Sequence, residues 1–306
     1  MTVGFHGIHA PRSHGPPVRI PVHRQSRLFS QTLYWPDHNA SLLIDISCPR
    51  CRLCLQETRG MQSLISPNLV SRLRDCMPQV IALWFDGVEV NGVADPPSAA
   101  VRRWWGAGRS REEHAAFNSR CSGLFSAVLQ IIADLPAQTH SQQIARELGD
   151  IYLKDGVGEK SIESYHGILG LVLLLDQMPR CVFLPSSPVI YRHYDAIAQA
   201  LSLDAISRGV DTWRNQNSLA WRLWFYLPLE HSEDLAQHQQ LRQYLDGVKP
   251  YDQQKYLGMA SDAAAQHHRI IKRFGRYPYR NEFLGRNSTA DELEWISANG
   301  NPFASI

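Results

Sequence analysis

The sequence predicts an all-α fold made of antiparallel helix pairs, and three observations support that prediction. Apolar residues over 111–135 recur at steps of three and four, which places them in one stripe along a helix. The segment Ile168–Leu175 is apolar on every side, which is typical of a helix buried within a protein. No stretch shows the strict alternation of polar and apolar residues that indicates a half-buried strand. Such helices pack as antiparallel pairs when their connections are short.

Capping residues set the expected limits of the helices that follow residue 135. Ser141 is expected to cap one helix, and Ser161 to cap the buried helix after it. Pro188 suits the first position of the next helix, because the N–H that proline lacks has no partner there. Gly209 is expected to end that helix, since glycine adopts the left-handed conformation without strain.

The remaining helices carry similar signals. The aromatic-rich segment 217–226 is expected to be helical and buried, with Pro228 ending it because proline removes a helical hydrogen bond. Ser232 is placed to cap the following helix. A long helix is predicted over Tyr251–Phe274 up to the next glycine, and Thr289–Glu292 has the pattern of a capping box before a last short helix.

The start of the chain differs in composition from the rest. Residues 1–36 contain no acidic residue, and the prolines among them favour extended chain over helix. We therefore expect 1–77 to be a disordered or atypical extension and 78–306 to form the helical domain. An arginine-rich, acid-free start resembles a mitochondrial transit peptide, but prolines interrupt the amphipathic helix that such a peptide needs. A cytoplasmic location is expected, with the mitochondrion as the alternative.

Charge and hydropathy argue against several classes of partner. The net charge of +2 gives no strong field to attract nucleic acid, so no nucleic-acid partner is expected. The longest apolar run, Ile168–Leu175, is far too short to span a bilayer. The tandem motif Cys48-x-x-Cys51-x-x-Cys54 could hold a metal or an iron–sulfur cluster, but it lacks a fourth ligand. We expect no metal and no cofactor.

Three polar stretches carry a resemblance to a known family. They are Leu173–Arg180, Phe225–Gln237, and the segment from His267 through Ile270–Asn281 to Thr289. In order and spacing they are similar to the signature blocks of the domain of unknown function 924 family, over roughly residues 78–300. The resemblance implies a helical, tetratricopeptide-like protein and brings no established reaction.

The chain departs from that family at two places. After Arg180 the family typically continues through an Asn and a Phe-Arg-Gly segment, whereas this chain has Cys181–Ser187. Where the family usually has Phe-Pro-His-Arg-Asn, this chain has Tyr277-Pro-Tyr-Arg-Asn281. An Arg and a His are thus missing beside the two most polar blocks, and a less charged site would suit a more apolar ligand.

Four residues are the candidates for catalysis. Asp176 and Gln177 come at the end of the most apolar helix, where a carboxylate opposes the helix dipole and needs a cation. Asp176 is a candidate acid or base, or a buried ion pair that fixes packing. His231 stands among carboxylates that could orient it as a base, bind a metal, or simply form a polar network. His267 lies on the apolar stripe of its helix, as a catalytic residue or as a hydrogen-bonded core histidine.

Further residues are candidates for binding a substrate. Aromatic side chains could wall a pocket or belong to the core, and arginines could hold an anion or neutralise nearby acids. The candidates are Trp221, Trp224, Tyr226, Arg180, Glu230, Arg273, Arg276, Tyr277, Tyr279 and Arg280.

Two functional hypotheses remain open from the sequence. The first is a cofactor-independent enzyme that acts on a small, fairly apolar molecule, as a cyclase (cycloaddition type) or isomerase of secondary metabolism. The second is a non-catalytic helical-repeat protein that binds a partner in a groove. Convergence of the polar blocks on a pocket favours the enzyme, and an open concave face favours the scaffold.

Overall fold

A computed structural model describes residues 62–302 apart from 90–93, 107, 154–160, 214–217 and 249–252. The described residues form eleven α-helices and no strand, which confirms the all-α prediction. No helix among them is long and apolar enough to cross a membrane. The tetratricopeptide-like order of the helices stays a prediction, and the motif Cys48-x-x-Cys51-x-x-Cys54 lies outside the described residues.

The helices are numbered in chain order: α1 Pro67–Trp84, α2 Ser98–Trp105, α3 Arg111–Ala133, α4 Ala137–Asp150, α5 Ile162–Asp176, α6 Met178–Val182, α7 Asp195–Ser207, α8 Leu219–Glu230, α9 Leu235–Asp246, α10 Gln254–Phe274 and α11 Ala290–Asn299. A π-helical turn, Ile190–Tyr194, leads directly into α7, and a 3₁₀ turn, Pro278–Arg280, lies between α10 and α11.

Helix α5 is the centre of the fold. It contacts α1, α7 and α8, and every residue from Gly167 to its end is buried. Its predicted cap is confirmed, because the Ser161 side chain accepts a hydrogen bond from the Ser164 N–H. Gly170 permits the close approach of α1, since a Cβ there would lie 2.9 Å from the sulfur of Met77. The apolar helix predicted to be buried therefore organises the core around itself.

The helical region begins before the predicted boundary at residue 78. Helix α1 starts at Pro67, and Ser66 caps it by accepting a hydrogen bond from the Leu69 N–H. Leu69 and Leu73 are buried in the core, and Pro78 lies inside the helix. A Ser-Pro pair followed by leucines at helical spacing is typical of a helix N-terminus. The proline-rich residues upstream led to the prediction that the whole of 1–77 lies outside the helical domain. Residues 67–77 are thus part of the helical core, and a truncation that removes them is expected to unfold the protein.

Two predicted helix limits are wrong. Pro228 does not end α8: its missing N–H removes one helical hydrogen bond in the last turn, but the helix continues to Glu230, with Leu227 and Leu229 buried on either side of the proline. The cap of α9 is Asp234, whose carboxylate accepts from the Ala236 N–H, whereas the Ser232 hydroxyl accepts from Asp234 itself. In both cases tertiary packing or a neighbouring residue outweighed the local signal.

Other predicted limits agree with the structure or lie close to it. Gly209 and Gly275 have positive φ angles after α7 and α10, as expected of helix ends. The capping box at Thr289 is formed with Glu292. Helix α4 begins at Ala137, before the predicted cap at Ser141, and has a non-helical residue just ahead of that serine.

Candidate active site

Polar residues gather where the carboxyl ends of α5 and α8 meet. Asp176 is the last residue of α5, and His231 directly follows α8. Both side chains are buried. The carboxylate of Asp176 opposes the dipole of its own helix, and Arg180, one turn further on, compensates by placing its Nη1 atom 3.7 Å from Oδ1. Arg180 also donates a hydrogen bond of 2.6 Å to the carbonyl oxygen of Asp176.

Asp176 fixes the orientation of the His231 ring. Its Oδ1 atom lies 2.7 Å from Nδ1 of His231, and the Gln177 amide donates to Oδ2 at 2.6 Å. Burial alone would raise the pKa of Asp176, but the neighbouring His231 and Arg180 charges and these hydrogen bonds bring it below its usual range. An ionised carboxylate only accepts hydrogen bonds, so Nδ1 of His231 carries the proton.

The other nitrogen of this ring is consequently a base when His231 is neutral. Nε2 then holds a lone pair. Among the described residues no hydrogen-bond partner is found for Nε2, and His231 lines a cavity. A carboxylate that orients a histidine toward a cavity is an arrangement suited to general acid–base catalysis.

Two arginines share a second carboxylate beside this pair. Nη1 of Arg180 lies 2.8 Å from Oδ1 of Asp195, and Nη1 of Arg280 lies 3.8 Å from Oδ2. Asp195 is the first residue of α7 and follows the π-helical turn. His193 and Tyr194, within that turn, hydrogen-bond to main-chain oxygens of α3 at 2.8 and 2.6 Å. These bonds fix the turn and so place the Asp195 carboxylate between the arginines.

The Arg280 side chain is held at the site by a hydrogen bond to the main chain of His231 and by aromatic rings. It belongs to the 3₁₀ turn and donates a 2.9 Å hydrogen bond to the carbonyl oxygen of His231. Its guanidinium carbon lies 4.2 Å from the ring centre of Tyr277 and 4.7 Å from that of Tyr191. Stacking of this kind holds a guanidinium in one orientation.

A second histidine–carboxylate pair lies next to the first. Nε2 of His267, on α10, is 3.0 Å from Oε1 of Glu230. Its Nδ1 atom is 2.8 Å from the hydroxyl of Tyr277, which donates to the Glu230 carbonyl oxygen at 2.5 Å. Burial raises the pKa of Glu230, but the His267 charge and hydrogen bond outweigh burial and lower it. Both nitrogens of His267 thus have partners, and this pair ties α10 to the end of α8.

These groups surround a cavity of about 220 Å³. Its walls combine charged, aromatic and aliphatic side chains. The lining residues are Trp105, Arg180, Pro185, Ile190, Tyr191, Leu227, Glu230, His231, Ala263, His267, Tyr279, Arg280, Asn301 and Pro302. Asp176, Gln177 and Tyr277 lie behind this lining and reach it through His231, Arg180 and His267.

The same groups include a set that could ligate a metal ion. Oxygen atoms of Asp176 and Asp195 and a ring nitrogen of His231 lie within 4.8 Å of one another. Arg180 already contacts both carboxylates, so a metal would have to displace a guanidinium. The metal-free site stays a prediction, which elemental analysis of the purified protein can test.

Besides Asp176, Gln177 and Tyr277, five of the predicted site residues do not line the cavity. Trp221 stacks on Phe85, and Trp224 packs between other tryptophans of the core. The Tyr226 hydroxyl donates a hydrogen bond to the Asp211 carboxylate. The two remaining residues, Arg273 and Arg276, pair with acidic residues of α11.

Sequence reasoning missed several residues of the site, three of them at or directly after the π-helical turn. Asp195 and Tyr191 belong to or follow the π-helical turn, and Ile190 lines the cavity. An acidic residue beside the apolar stripe of Tyr194 and Ile197 was the available signal. The position of its carboxylate depends on the extra residue in the π turn, which no simple periodicity predicts.

A wider groove of about 800 Å³ lies at a different place, against α1, α2 and α3. Two of its arginines bind main-chain oxygens: Arg103 donates to Trp84 and Asp86, and Arg109 donates to Arg103 and Glu113. Its described lining contains no histidine. On chemical grounds the smaller cavity is the stronger candidate for a catalytic site.

Comparison with known proteins gives a family and one solved structure. The model of a family described as bacterial protein of unknown function (DUF924) matches residues 80–300. A solved structure of a protein of unknown function from Agrobacterium tumefaciens is 26% identical, with a TM-score of 0.49, covering 72% of this chain and 97% of that chain. No curated protein matches the chain.

Proposed function

The chain belongs to the DUF924 family, and we propose that it is a cofactor-independent enzyme that moves a proton on a small molecule bound beside His231. The observation that carries this proposal is the Nε2 atom of His231. Asp176 orients the ring, Nε2 has no partner among the described residues, and the ring lines the cavity. The buried His238 also has one nitrogen without a partner among the described residues, but only the His231 ring combines such a nitrogen with an orienting carboxylate and a place in the cavity lining.

The surrounding groups support an isomerisation or cyclisation. Nε2 of His231 would accept a proton from one atom of the substrate and return it to another atom of the substrate. The Asp176 carboxylate would stabilise the imidazolium that forms in between. Negative charge that develops on the substrate would be met by Arg280 and Tyr279, which line the same cavity. Reactions of this class need orientation and one or two proton donors rather than a cofactor.

The walls also bear on the size and polarity of the substrate. A cavity of 220 Å³ is smaller than the range of about 300–1,000 Å³ that holds drug-sized ligands, so a small molecule fits best. Trp105, Ile190 and Leu227 provide an apolar portion of the lining. The fairly apolar body predicted for the substrate would lie against these residues. A cytoplasmic location and a role in secondary metabolism belong to the same proposal and rest on the sequence alone.

The alternative, a scaffold that binds a partner in a groove, has less support from the site. Residues of the three polar stretches converge on one cavity at the ends of α5 and α8 rather than along an open face. A scaffold would also have little use for an oriented histidine with a bare nitrogen.

A metabolite comparison tests the proposal while the substrate is still unidentified. A strain lacking the protein is complemented with wild-type protein, His231→Gln, Asp176→Asn or Arg273→Gln. Arg273 is a matched control because it is half-exposed and pairs with Asp291 outside the cavity. We expect one metabolite to accumulate in the deletion strain and in both site variants, and to disappear with wild type and the control.

Two outcomes would oppose the enzymatic proposal. If the folded and expressed His231→Gln variant restored the wild-type metabolite profile, His231 would not be the general base. An unchanged metabolite profile in the deletion strain, together with recovery of a protein that binds directly to the purified chain, would favour the scaffold.

A further inference from the structure

We infer that the molecule bound beside His231 carries an anionic group, a carboxylate or a phosphate, that Arg180 and Arg280 bind. This inference rests on the proposed function for the location of the ligand and adds the chemical class of that ligand. It changes the expectation of a fairly apolar molecule into one with an apolar body and one anionic end.

The charges around the cavity motivate the inference. Asp176 uses one oxygen on His231 and the other on Gln177, and Glu230 pairs with His267. Asp176 also lies 3.7 Å from Arg180, and Asp195 is the carboxylate that both arginines approach. It lies close to Arg180 at 2.8 Å, but at 3.8 Å from Arg280 it is beyond hydrogen-bond distance.

The guanidinium groups also retain unused donors. Among the described residues, Nη2 of Arg180 and Nε of Arg280 are buried and have no hydrogen-bond partner. Arg280 as a whole is only 4% exposed, and both arginines line the cavity. Buried polar atoms are rarely left unpaired unless a ligand or water satisfies them. The oxygens of Asp195 also have no hydrogen-bond partner among the described residues, so the carboxylate does not satisfy these donors, and an anion in the cavity could accept from them.

The arginines are held ready for such a ligand. Tyr191 and Tyr277 stack against the Arg280 guanidinium, and the His231 carbonyl oxygen fixes one of its nitrogens. Asp195 and the Asp176 carbonyl oxygen do the same for Arg180. A planar guanidinium that is already oriented suits the paired oxygens of a carboxylate or phosphate.

The position of the arginines has a consequence for the reaction. Arg280 is bonded to the main chain of His231, so an anion on Arg280 lies near the His231 ring. His231 would then take a proton from an atom close to the anionic group. The guanidinium charge would also stabilise the negative charge that this proton leaves behind.

Calorimetric titration of the full chain with matched probes tests the inference. Benzoate and phenyl phosphate each combine a small apolar body with an anion, whereas benzamide is the neutral counterpart of benzoate. We expect at least one anion to bind wild type about tenfold or more tightly than benzamide, the effect of one charge-assisted pair. The preferred anion distinguishes a carboxylate ligand from a phosphate ligand.

Variants locate the binding. Arg280→Gln and Arg180→Gln should lose the preference for the anion, Arg273→Gln should retain it, and His231→Gln should retain it because the base is not the anion ligand. Arg280→Lys provides a second test if Arg280→Gln does not fold, since it keeps the charge and loses the planar fork. In wild type, the NMR signal of the Trp105 indole should shift with the preferred anion.

The inference is overturned if neither anion binds wild type more tightly than benzamide, or if the preference survives in folded Arg180 and Arg280 variants. Its failure is separable from that of the enzymatic proposal. If His231→Gln still binds the anion and the deletion strain has an unchanged metabolite profile, the anion site is supported and the enzymatic proposal is contradicted. If the metabolite profile changes but wild type does not prefer an anion, the enzymatic proposal is supported and the anion site is contradicted.

Discussion

Two clusters of residues, one aromatic and one polar, lie in different environments. The sequence predicted that residues of both contribute to the functional site. The aromatic cluster, defined here as Trp84, Trp104, Trp221 and Trp224, packs ring against ring inside the helical core. The polar cluster, Asp176, Arg180, Asp195, His231 and Arg280, lies at helix ends around a cavity.

The difference shows how a core and a site can be separated within one buried region. In the aromatic cluster, the indole N–H groups of Trp104 and Trp224 donate to the main-chain oxygens of Trp84 and Ala220, whereas those of Trp84 and Trp221 have no hydrogen-bond partner among the described residues. In the polar cluster, Nε2 of His231 and single donors of both arginines lack partners among the described residues. Burial and unused hydrogen-bonding groups are common to both clusters, and the position of its charged side chains in the lining of a cavity distinguishes the polar cluster.

The largest expected effect is on turnover. His231→Gln should lower the rate on the metabolite that accumulates in the deletion strain by about 100- to 10,000-fold, the range for losing a general acid or base. Its thermal stability should remain near wild type, because the glutamine side chain can still donate to Asp176. A rate close to wild type in the purified variant would place the base elsewhere.

A core substitution should have the opposite profile. Trp224→Ala removes a ring that is 1% exposed and packs 5.0 Å from Trp84. The free energy of unfolding should fall by about 3–5 kcal/mol, as for other large aromatic truncations. Denaturant titration measures this loss. If the variant is as stable as wild type but no longer binds the anionic probe, the aromatic cluster belongs to the site after all.

A substitution of Asp195 should affect both stability and ligand binding. Asp195→Asn leaves two buried guanidinium groups without the carboxylate between them, and breaking such a pair costs about 3–5 kcal/mol when the remaining charge stays buried. An anionic ligand would replace that charge, so benzoate or phenyl phosphate should raise the melting temperature of this variant more than that of wild type. Equal shifts would show that Asp195 does not neutralise the ligand-binding arginines.

The smallest effect concerns an arginine outside the cavity. Arg276 and Asn281 donate to Glu292, which also caps α11, and the Arg276 bond does most to lower the pKa of Glu292 to about 2. Because the folded pKa lies below the unfolded value, this contribution is present above about pH 4.5 and is lost as pH falls toward 2. Arg276→Gln should therefore be less stable than wild type at neutral pH, with the difference shrinking through that window.

Denaturant titration across this pH range measures the difference. Arg273→Gln is the control, because its pair with Asp291 is about half-exposed and such pairs contribute little. A pH-independent difference for Arg276→Gln would mean that the Glu292 pair is not its cause. Neither variant should alter binding of the anionic probe, since neither arginine lines the cavity.

Local sequence signals predicted much of the fold and only part of the site. The apolar spacing of α5 and the caps at Ser161 and Thr289 depend on nearby residues, and these elements are where they were expected. The placement of Asp176 and His231 at ends of buried helices likewise follows from local pattern. Their mutual contact follows from the packing of α5 against α8, which the sequence alone does not show.

What could not be predicted depends on geometry beyond one helix. The sequence around Trp224 is the same whether its side chain lines a pocket or packs in the core, so the sequence does not distinguish the two. Asp195 reaches the arginines because a π-helical turn precedes it, and that turn is fixed by hydrogen bonds to α3. Arg276 and Arg280 are four residues apart, yet one pairs with α11 and the other lines the cavity.

The protonation of the His231 ring tests the central claim most directly. In the neutral form, nitrogen NMR of the full chain should show the proton on Nδ1 and a bare Nε2, because Asp176 accepts from Nδ1. Asp176→Asn should weaken this preference, and Arg273→Gln should leave it unchanged. A wild-type ring that carries its neutral-state proton on Nε2 would contradict the account, since His231 would then present no base to the cavity.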